Sequence, residues 1–345
     1  MQNRERFGVI MVSMKDIAKE CGVSVATVSK SLNNYSDIGK ETRDRILETA
    51  KKMGYYPNSS ARALKTKRTY HLGVLFMDEA NSGLTHHFFS RILESFKVTA
   101  ESEGYDITFV SDNISRRKTS YLEHCRYRGV DGVMIANIDF YDQQIQELIH
   151  SDLPVVTIDH VFDNRIAIVS DNIGGMHELT EYVLSKGHQR IAYIHGLDSS
   201  VTRARVSSFY NTLSEHHIQI PDAYERAVPY LDVKACIDET DDLLRLPLPP
   251  TCILYPDDIC CMGGFNHLRA HGLQIGKDIS IAGYDGNFIS KITDPQLTTI
   301  EQDTASIGRI AAKKLVSLIE NPKATIIEQI VIKGTLQKGG SVGNI

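Results

Sequence analysis

The residues of this 345-residue chain best suited to chemistry are a set of acids at the ends of apolar runs, together with one arginine. Asp159, the pair Asp257-Asp258 and Asp285 each follow a short stretch rich in Val, Ile or other buried-type residues. Such a stretch reads as a buried strand, and ligands of open α/β sheets sit just outside the carboxyl ends of strands. One such Asp is more often a turn residue or a helix cap. Three at strand ends, converging on one cleft, shift the balance toward binding. Carboxylates accept hydroxyl hydrogen bonds in pairs, and the guanidinium of Arg205 offers a fixed fork of donors, so the set suits a polyol. Asp171 and Asn172 follow a further strand candidate in the same way.

A second kind of chemistry is concentrated near the start. Ser13 with Asp16 forms an S-x-x-D capping box for a helix whose apolar face is Ile17, Ala18 and Cys21, and Gly22 stops it. Ser24 caps a second helix in which Val25, Val28 and Leu32 recur at helical spacing. Ala26, Thr27, Ser29 and Lys30 are left facing outward. Two caps around a Gly-containing turn give a helix-turn-helix, whose second helix can lie in a DNA major groove. Val25 and Ala26 offer only apolar contacts, such as to a thymine methyl, whereas Lys30 can reach a guanine edge or a phosphate. A third amphipathic helix is expected over Thr42–Met53, with Ile46, Leu47 and Ala50 inward and Lys51 and Lys52 near its C-terminus. Gly54 ends it, and Tyr55-Tyr56-Pro57 leads into a short segment, Asn58–Leu64, capped by Asn58 or Ser59. That segment is too short to be helical alone and should fold only against a partner.

The motifs KDIAKECGVSVATVSKSLN, TRDRILETAKKMGYYPN and SSARALKTKRT together resemble the lactose-repressor (LacI/GalR) family of bacterial transcription regulators. Farther on, SKGHQRIAYIHG, RARVSSFYNTL, HGLQIGKDISIAGYDG and DPQLTTIEQD carry the same resemblance over nearly the whole chain after residue 13. The resemblance implies a DNA-contact set of Ser24, Val25, Ala26, Thr27, Ser29, Lys30, Asn33, Tyr55, Ala61, Arg62, Leu64 and Lys65. In it the segment 58–64 is a hinge helix, and Leu64 is the apolar wedge that enters the minor groove, where unstacking is repaid by a bent duplex. The effector contacts it implies are Asp159, Arg205, Asp257 and Asp285, with Phe88, Phe89 and Tyr230 packing against or stacking on the ligand. The ordinary alternative for the three aromatics is core packing. The implied fold is an all-α helix-turn-helix head with an α/β body of two Rossmann-like lobes, the type I periplasmic-binding-protein fold.

These sites need scaffolds, and the elements are readable. From Tyr70 onward strand candidates alternate with helices: Leu72–Met77, Asp106–Ser111, Gly132–Ala136, Val155–Asp159, Ile166–Ser170, Ile191–His195, Cys252–Tyr255, Ile279–Gly283 and Thr298–Glu301. Amphipathic stretches such as Phe88–Glu103, Gln143–His150, Gly174–Lys186, Arg205–His216 and Met262–His271 lie between most of them. Alternating βα units make parallel sheets covered by helices, and there are too many strands for one small sheet. The expected domains are a leader 1–13, a helix-turn-helix domain 14–57, a hinge helix and linker 58–69, and an effector-binding and dimerisation domain 70–345. The leader's RERFGVIMVSM has no counterpart in the family pattern, and Met11 or Met14 is an expected native start.

Charge agrees with this division. Of 38 Lys/Arg and 43 Asp/Glu, residues 1–69 hold 14 and 7, a net of +7, leaving 24 and 36, a net of -12. A basic head on an acidic body is the pattern of a DNA-binding domain attached to something that should stay off DNA. No apolar run approaches membrane-spanning length, and no signal-peptide core is present. The six cysteines form no C-x-x-C pair, which fits packing thiols in a reduced cytoplasm. An enzyme is disfavoured: no G-x-G-x-x-G follows the first strand, there is no P-loop, and His86-His87 and His216-His217 lack metal-ligand partners at the usual spacing. No cofactor is expected.

Several departures from the family pattern bear on the site. Asp78–His87 is longer than the usual first link, Cys260-Cys261 replace small apolar residues, Asp257 stands where Asn is common, and Gly39 stands where a capping Ser or Thr is common. The C-terminus, KGGSVGNI, carries no Leu heptad, so a homodimer on a pseudo-palindromic operator is expected rather than a tetramer. A sugar-like effector is the leading reading, with a phosphoprotein or nucleobase co-repressor as the alternative.

Overall fold

The computed structural model describes residues 5–6, 9–10, 12–33, 35–56, 68–77, 83–136 and 139–345. The segment 58–64 with Ala61, Arg62 and Leu64, the neighbouring Lys65, and the start of the Asp78–His87 stretch lie outside them. The chain divides into two compact units, Met1–Thr69 and Tyr70–Ile345.

Among the described residues, the first unit is built on three helices, α1 (Met14–Cys21), α2 (Val25–Leu32) and α3 (Lys40–Lys52). At the start of α1 the Asp16 carboxylate accepts from Ser13 N–H (2.9 Å) and Ser13 O–H (2.6 Å). Gly22 adopts the left-handed conformation (φ 63°) that lets Val23 N–H return to Ala18 O, which turns the chain into α2. Ile17, Ala18, Cys21, Val28, Ile46 and Ala50 form one small core, with Leu32, Met53 and Tyr55 packed on it. Helix α3 begins two residues earlier than expected, with Gly39 at its N-cap, and Leu47 is 43 % exposed rather than inward. The inward face of α3 is the Ile46–Ala50 stripe; Leu47 lies one step around the helix from it.

The second unit holds two parallel sheets. The first runs in the order 329–332, 166–170, 155–158, 132–136, 71–76, 106–109. Helices His87–Ser102 and Thr304–Glu320 cover one face, while Tyr121–Arg128 and Gln143–Ile149 cover the other. The second sheet runs 225–227, 191–195, 252–254, 280–282. Its faces are covered by helices Val233–Leu244 and Asp258–Ala270, and by Asn172–Ser185 and Ser200–Glu215. With both faces buried, the strands read as continuous apolar runs. Strand 299–301 pairs antiparallel with 335–337.

The chain passes between these lobes three times, near Asp171, at Gln302-Asp303 and at Lys333-Gly334. Two helices start well before their expected positions, at Ser200 and Asp258, because Ser199 and Asp257 cap them: Ser199 Oγ accepts from Thr202 N–H and Asp257 Oδ1 from Cys260 N–H. The strand expected over Asp106–Ser111 ends at Phe109.

Helix Thr304–Glu320 reaches the first lobe only by close approach. A Cβ on Gly308 would stand 2.2 Å from Ile92 O and 2.8 Å from Phe96 N. Gly308→Ala is therefore expected to destabilise the protein by about 1–3 kcal/mol, although Ala is intrinsically the better helix former. Urea unfolding at fixed protein concentration measures this, and an unchanged midpoint would contradict the packing described.

Candidate functional site

In the head, α2 presents Ser24, Val25, Ala26, Lys30 and Asn33 to solvent, with Thr27 and Ser29 half-buried beside them. Ser24 Oγ accepts from Thr27 N–H (3.0 Å), holding the first turn, and Asn33 Nδ2 donates to Ser29 O (2.7 Å), closing the last. Lys30 is exposed and donates to Asp37 in the following loop. Arg43 of α3 fastens that loop by donating to Tyr35 O and Ile38 O. The result is a short helix that offers small polar, small apolar and one cationic side chain on a rigid three-helix base. That is a surface able to enter a major groove without obstruction. Tyr55 is half-buried against the core of the same unit.

In the body, Arg205 organises the second site. It is only 4 % exposed and lies on helix Ser200–Glu215. Its Nε donates to Asn172 Oδ1 (2.8 Å) and its Nη1 to Pro256 O (3.1 Å), while its plane stacks on Tyr284 with the ring centroid 3.6 Å away. Nη2 stands 3.8 Å from Asp285 Oδ1. Asp285 Oδ1 also accepts from Gln302 Nε2 (2.6 Å). Burial raises the Asp285 carboxyl to a pKa of about 6, with Arg205 working in the opposite direction. Burial likewise raises Asp159 and places Asp258 well above the usual carboxylate range. Burial opposes the charge on Arg205, but Tyr230, Tyr284 and Asp285 more than offset it, and its pKa lies above the ordinary value.

The other acids are partly committed to the scaffold. Asp159 Oδ1 accepts from Ser170 N–H (2.7 Å), and its own carbonyl accepts from Ser200 Oγ (3.1 Å) across the two lobes. Asp257 is 1 % exposed; besides Cys260 N–H, it accepts from Leu231 N–H through Oδ2 (3.0 Å). The helix-cap reading of Asp257 thus holds beside any binding role, and Asp171 is a cap as well, accepting from Gly174 N–H. Tyr230 shares a hydrogen bond with Thr202 Oγ1 (3.0 Å), and its ring lies so close over Gly196 that a Cβ there would meet it at 2.0 Å. Asp159, Leu231 and Asp285 all have positive φ (54°, 62° and 99°), a strain that clusters at functional sites.

The structure therefore brings Asp159, Arg205, Tyr230, Asp257 and Asp285 to the carboxyl ends of the strands. It places Phe88 and Phe89 in the core of the first lobe, packed edge to face with centroids 4.9 Å apart. Three further residues take part: Asn172, Tyr284 and Gln302. Asn172 carried a signal as a polar residue after a strand. Gln302 lies in a crossing segment, and Tyr284 reads as core, so neither type nor position marked them.

A three-helix head and a body of two parallel sheets joined by three crossings define a DNA-binding transcription regulator with a periplasmic-binding-protein-like ligand domain. Residues 13–58 match the model described as "Bacterial regulatory proteins, lacI family", and residues 180–342 match that of a periplasmic binding protein-like domain. The Probable HTH-type transcriptional repressor ExuR of Bacillus subtilis is 31% identical over 316 residues, covering 91% of this chain and 93% of that protein. The ribose operon repressor of Escherichia coli is 28% identical over 319 residues, covering 90% of this chain and 94% of its own length. Among solved structures, a Lac repressor dimer bound to operator and the anti-inducer ONPF matches with a TM-score of 0.79 at 25% identity, over 96% of this chain and 99% of that one. The chain belongs to the LacI family. It is a DNA-binding transcriptional regulator and not an enzyme.

Arg205 is surrounded by groups that its charge satisfies. Arg205→Ala should lower stability by about 3–5 kcal/mol, because it leaves Asp285 buried without its cation. Asp285→Asn should cost much less. Equal unfolding midpoints for Arg205→Ala and wild type would show that the guanidinium is not the organising group.

Proposed function

We propose that this regulator is a homodimeric repressor that binds operator DNA through α2 and the segment 58–64, and takes a neutral, sugar-like polyol at Arg205, Asp285, Asp159, Asp257 and Tyr230. The observation that carries the ligand reading is the arrangement around Arg205: a fixed, stacked fork of donors faced by several carboxyl groups. Hydroxyls donate to carboxylates and accept from the guanidinium, so a polyol uses both halves of the set. An anionic ligand would add charge to a region where burial already raises Asp159, Asp258 and Asp285. A regulator of this family from Enterococcus faecium has been solved with bound ribose, and the Escherichia coli relative regulates the ribose operon by name. Dimeric assembly is supported by the Lac repressor dimer on its operator. No helix among the described residues is long and apolar enough to cross a membrane, and a role on operator DNA supports a cytoplasmic location.

The crossings supply the coupling. Asn172, bonded to Arg205, follows the first crossing, and Gln302, bonded to Asp285, lies in the second. A ligand that reorients Arg205 or Asp285 changes the partners of both segments, and so biases the angle between the lobes. That angle in turn sets whether two hinge segments pair on the minor groove, with Ala61, Arg62, Leu64 and Lys65 supplying their contacts.

Two measurements test this reading. Operator affinity should fall steeply with log salt as phosphates are neutralised by the head. Lys30→Ala should weaken it, by about 1–3 kcal/mol at one base position if Lys30 reads an edge; a loss equal on all sequences assigns Lys30 to phosphate. Footprinting without a protected site at moderate salt would refute operator recognition.

For the ligand, a thermal-shift panel of neutral pentoses and hexoses beside their uronate counterparts should show stabilisation by a neutral member. A hydroxyl donating to Asp285 favours the ionised carboxylate. Affinity should therefore be flat above pH 7 and fall by about tenfold at pH 5, as the unliganded group protonates through its pKa of about 6. Asp285→Asn should flatten that profile. Stabilisation by uronates alone would overturn the neutral-polyol assignment.

A further inference from the structure

We propose that Asp241, His267 and His271 form a binding site for a transition-metal dication of the zinc type. The site lies on helices Val233–Leu244 and Asp258–Ala270, in the second lobe. His267 sits in the last turn of the second of these helices and His271 caps it, four residues on and therefore on the same face. Their rings are 4.4 Å apart between centroids. Asp241 faces them from the neighbouring helix, with Oδ1 2.6 Å from His267 Nε2. One ligand atom from each of the three lies within 4.8 Å of the others. Zinc bonds of ~2.0–2.1 Å in a tetrahedron set ligand atoms roughly 3.3 Å apart, so small side-chain rotations suffice.

The tautomer of His271 is prepared for this role. His271 Nδ1 is 2.9 Å from His267 O, which can only accept, so Nδ1 holds the proton and Nε2 of the neutral ring keeps its lone pair. A ligating histidine is oriented in just this way, by a carbonyl on its other nitrogen. When an ion binds, the hydrogen bond between His267 and Asp241 breaks: the Nε2 proton is lost to solvent and the neutral ring carries its proton on Nδ1, so Nε2 and Asp241 Oδ1 become ligand atoms. Arg245 also touches Asp241 (3.3 Å) but has Asp242 as a second partner (3.1 Å), so it can be displaced without losing its ion pair. Two imidazoles and one carboxylate suit zinc, nickel or copper, whereas magnesium and calcium require oxygen donors. Three protein ligands leave a fourth position for water.

The placement gives such an ion a structural consequence. Both helices start beside the ligand site, where Leu231 N–H bonds to Asp257, and an ion would tie their far ends together. A second grouping, His177, Glu181 and Glu215, provides only one imidazole, and Glu181 there is already engaged by His216 (2.6 Å).

Calorimetric titration of the tag-free full-length protein with zinc chloride tests the site. One equivalent should bind, magnesium chloride should not compete, and His271→Ala should weaken that equivalent by about tenfold or more. His271 is exposed, so its removal leaves the fold intact, as circular dichroism would verify. His177→Ala should leave the same equivalent unchanged. Absence of zinc binding by the wild type, or wild-type affinity in both His271→Ala and His267→Gln, would overturn the proposal.

Discussion

A guanidinium removed from water must be satisfied from every side, and in this molecule Arg205 imposes that demand on both the candidate site and the segments that cross between the lobes. Leaving such a group unpaired costs several kcal/mol. Its neighbours are correspondingly fixed: an amide oxygen from Asn172, a main-chain oxygen from Pro256, the face of Tyr284 and the carboxyl of Asp285. They come from three elements, Tyr284 and Asp285 being neighbours after the same strand, so one side chain aligns the start of helix Asn172–Ser185 with two strand ends of the second sheet. The positive φ values at Asp159, Leu231 and Asp285 are maintained because these surroundings over-determine them.

In the proposed mode of action the same arrangement gives a small ligand its leverage. The bonds that hold Arg205 and Asp285 run directly to residues of the crossing segments, so the site and the hinge share atoms. No long relay through the core is required. The lobes themselves are each a parallel sheet packed by helices on both faces, with a separate close-packed core on either side of the crossing segments.

Much of this was legible in the sequence, for identifiable reasons. Strands buried on both faces leave uninterrupted apolar runs, and the head announces itself through Ser13, Gly22 and Ser24, whose conformational roles are specific to residue type. The ends of helices were less legible. Asp257 was read for its carboxylate's ability to bind, which is also what makes it a cap, so the helix that it starts was placed four residues late. Gln302 and Tyr284 were invisible because their roles arise from partners far away in sequence, and hydrophobic pattern records only which residues avoid water. Leu47 shows the converse error, an apolar residue assigned inward that the packed helix turns to solvent.

The threefold passage of the chain has a consequence for how the protein is made. The first lobe is begun by residues 71–76, yet its core is completed by helix Thr304–Glu320 and its edge strand by residues 329–332. The second lobe, by contrast, draws most of its sheet from the continuous stretch 191–282. On the ribosome the lobe synthesised first must therefore wait for almost the entire chain, holding the apolar faces of helix His87–Ser102 and strand 166–170 without their partners. Long-range pairings of this kind are slow and expose surface that aggregates. The connectivity that joins the two lobes thus also leaves the N-terminal lobe, the first to be made, incomplete for longest and most dependent on protection during synthesis.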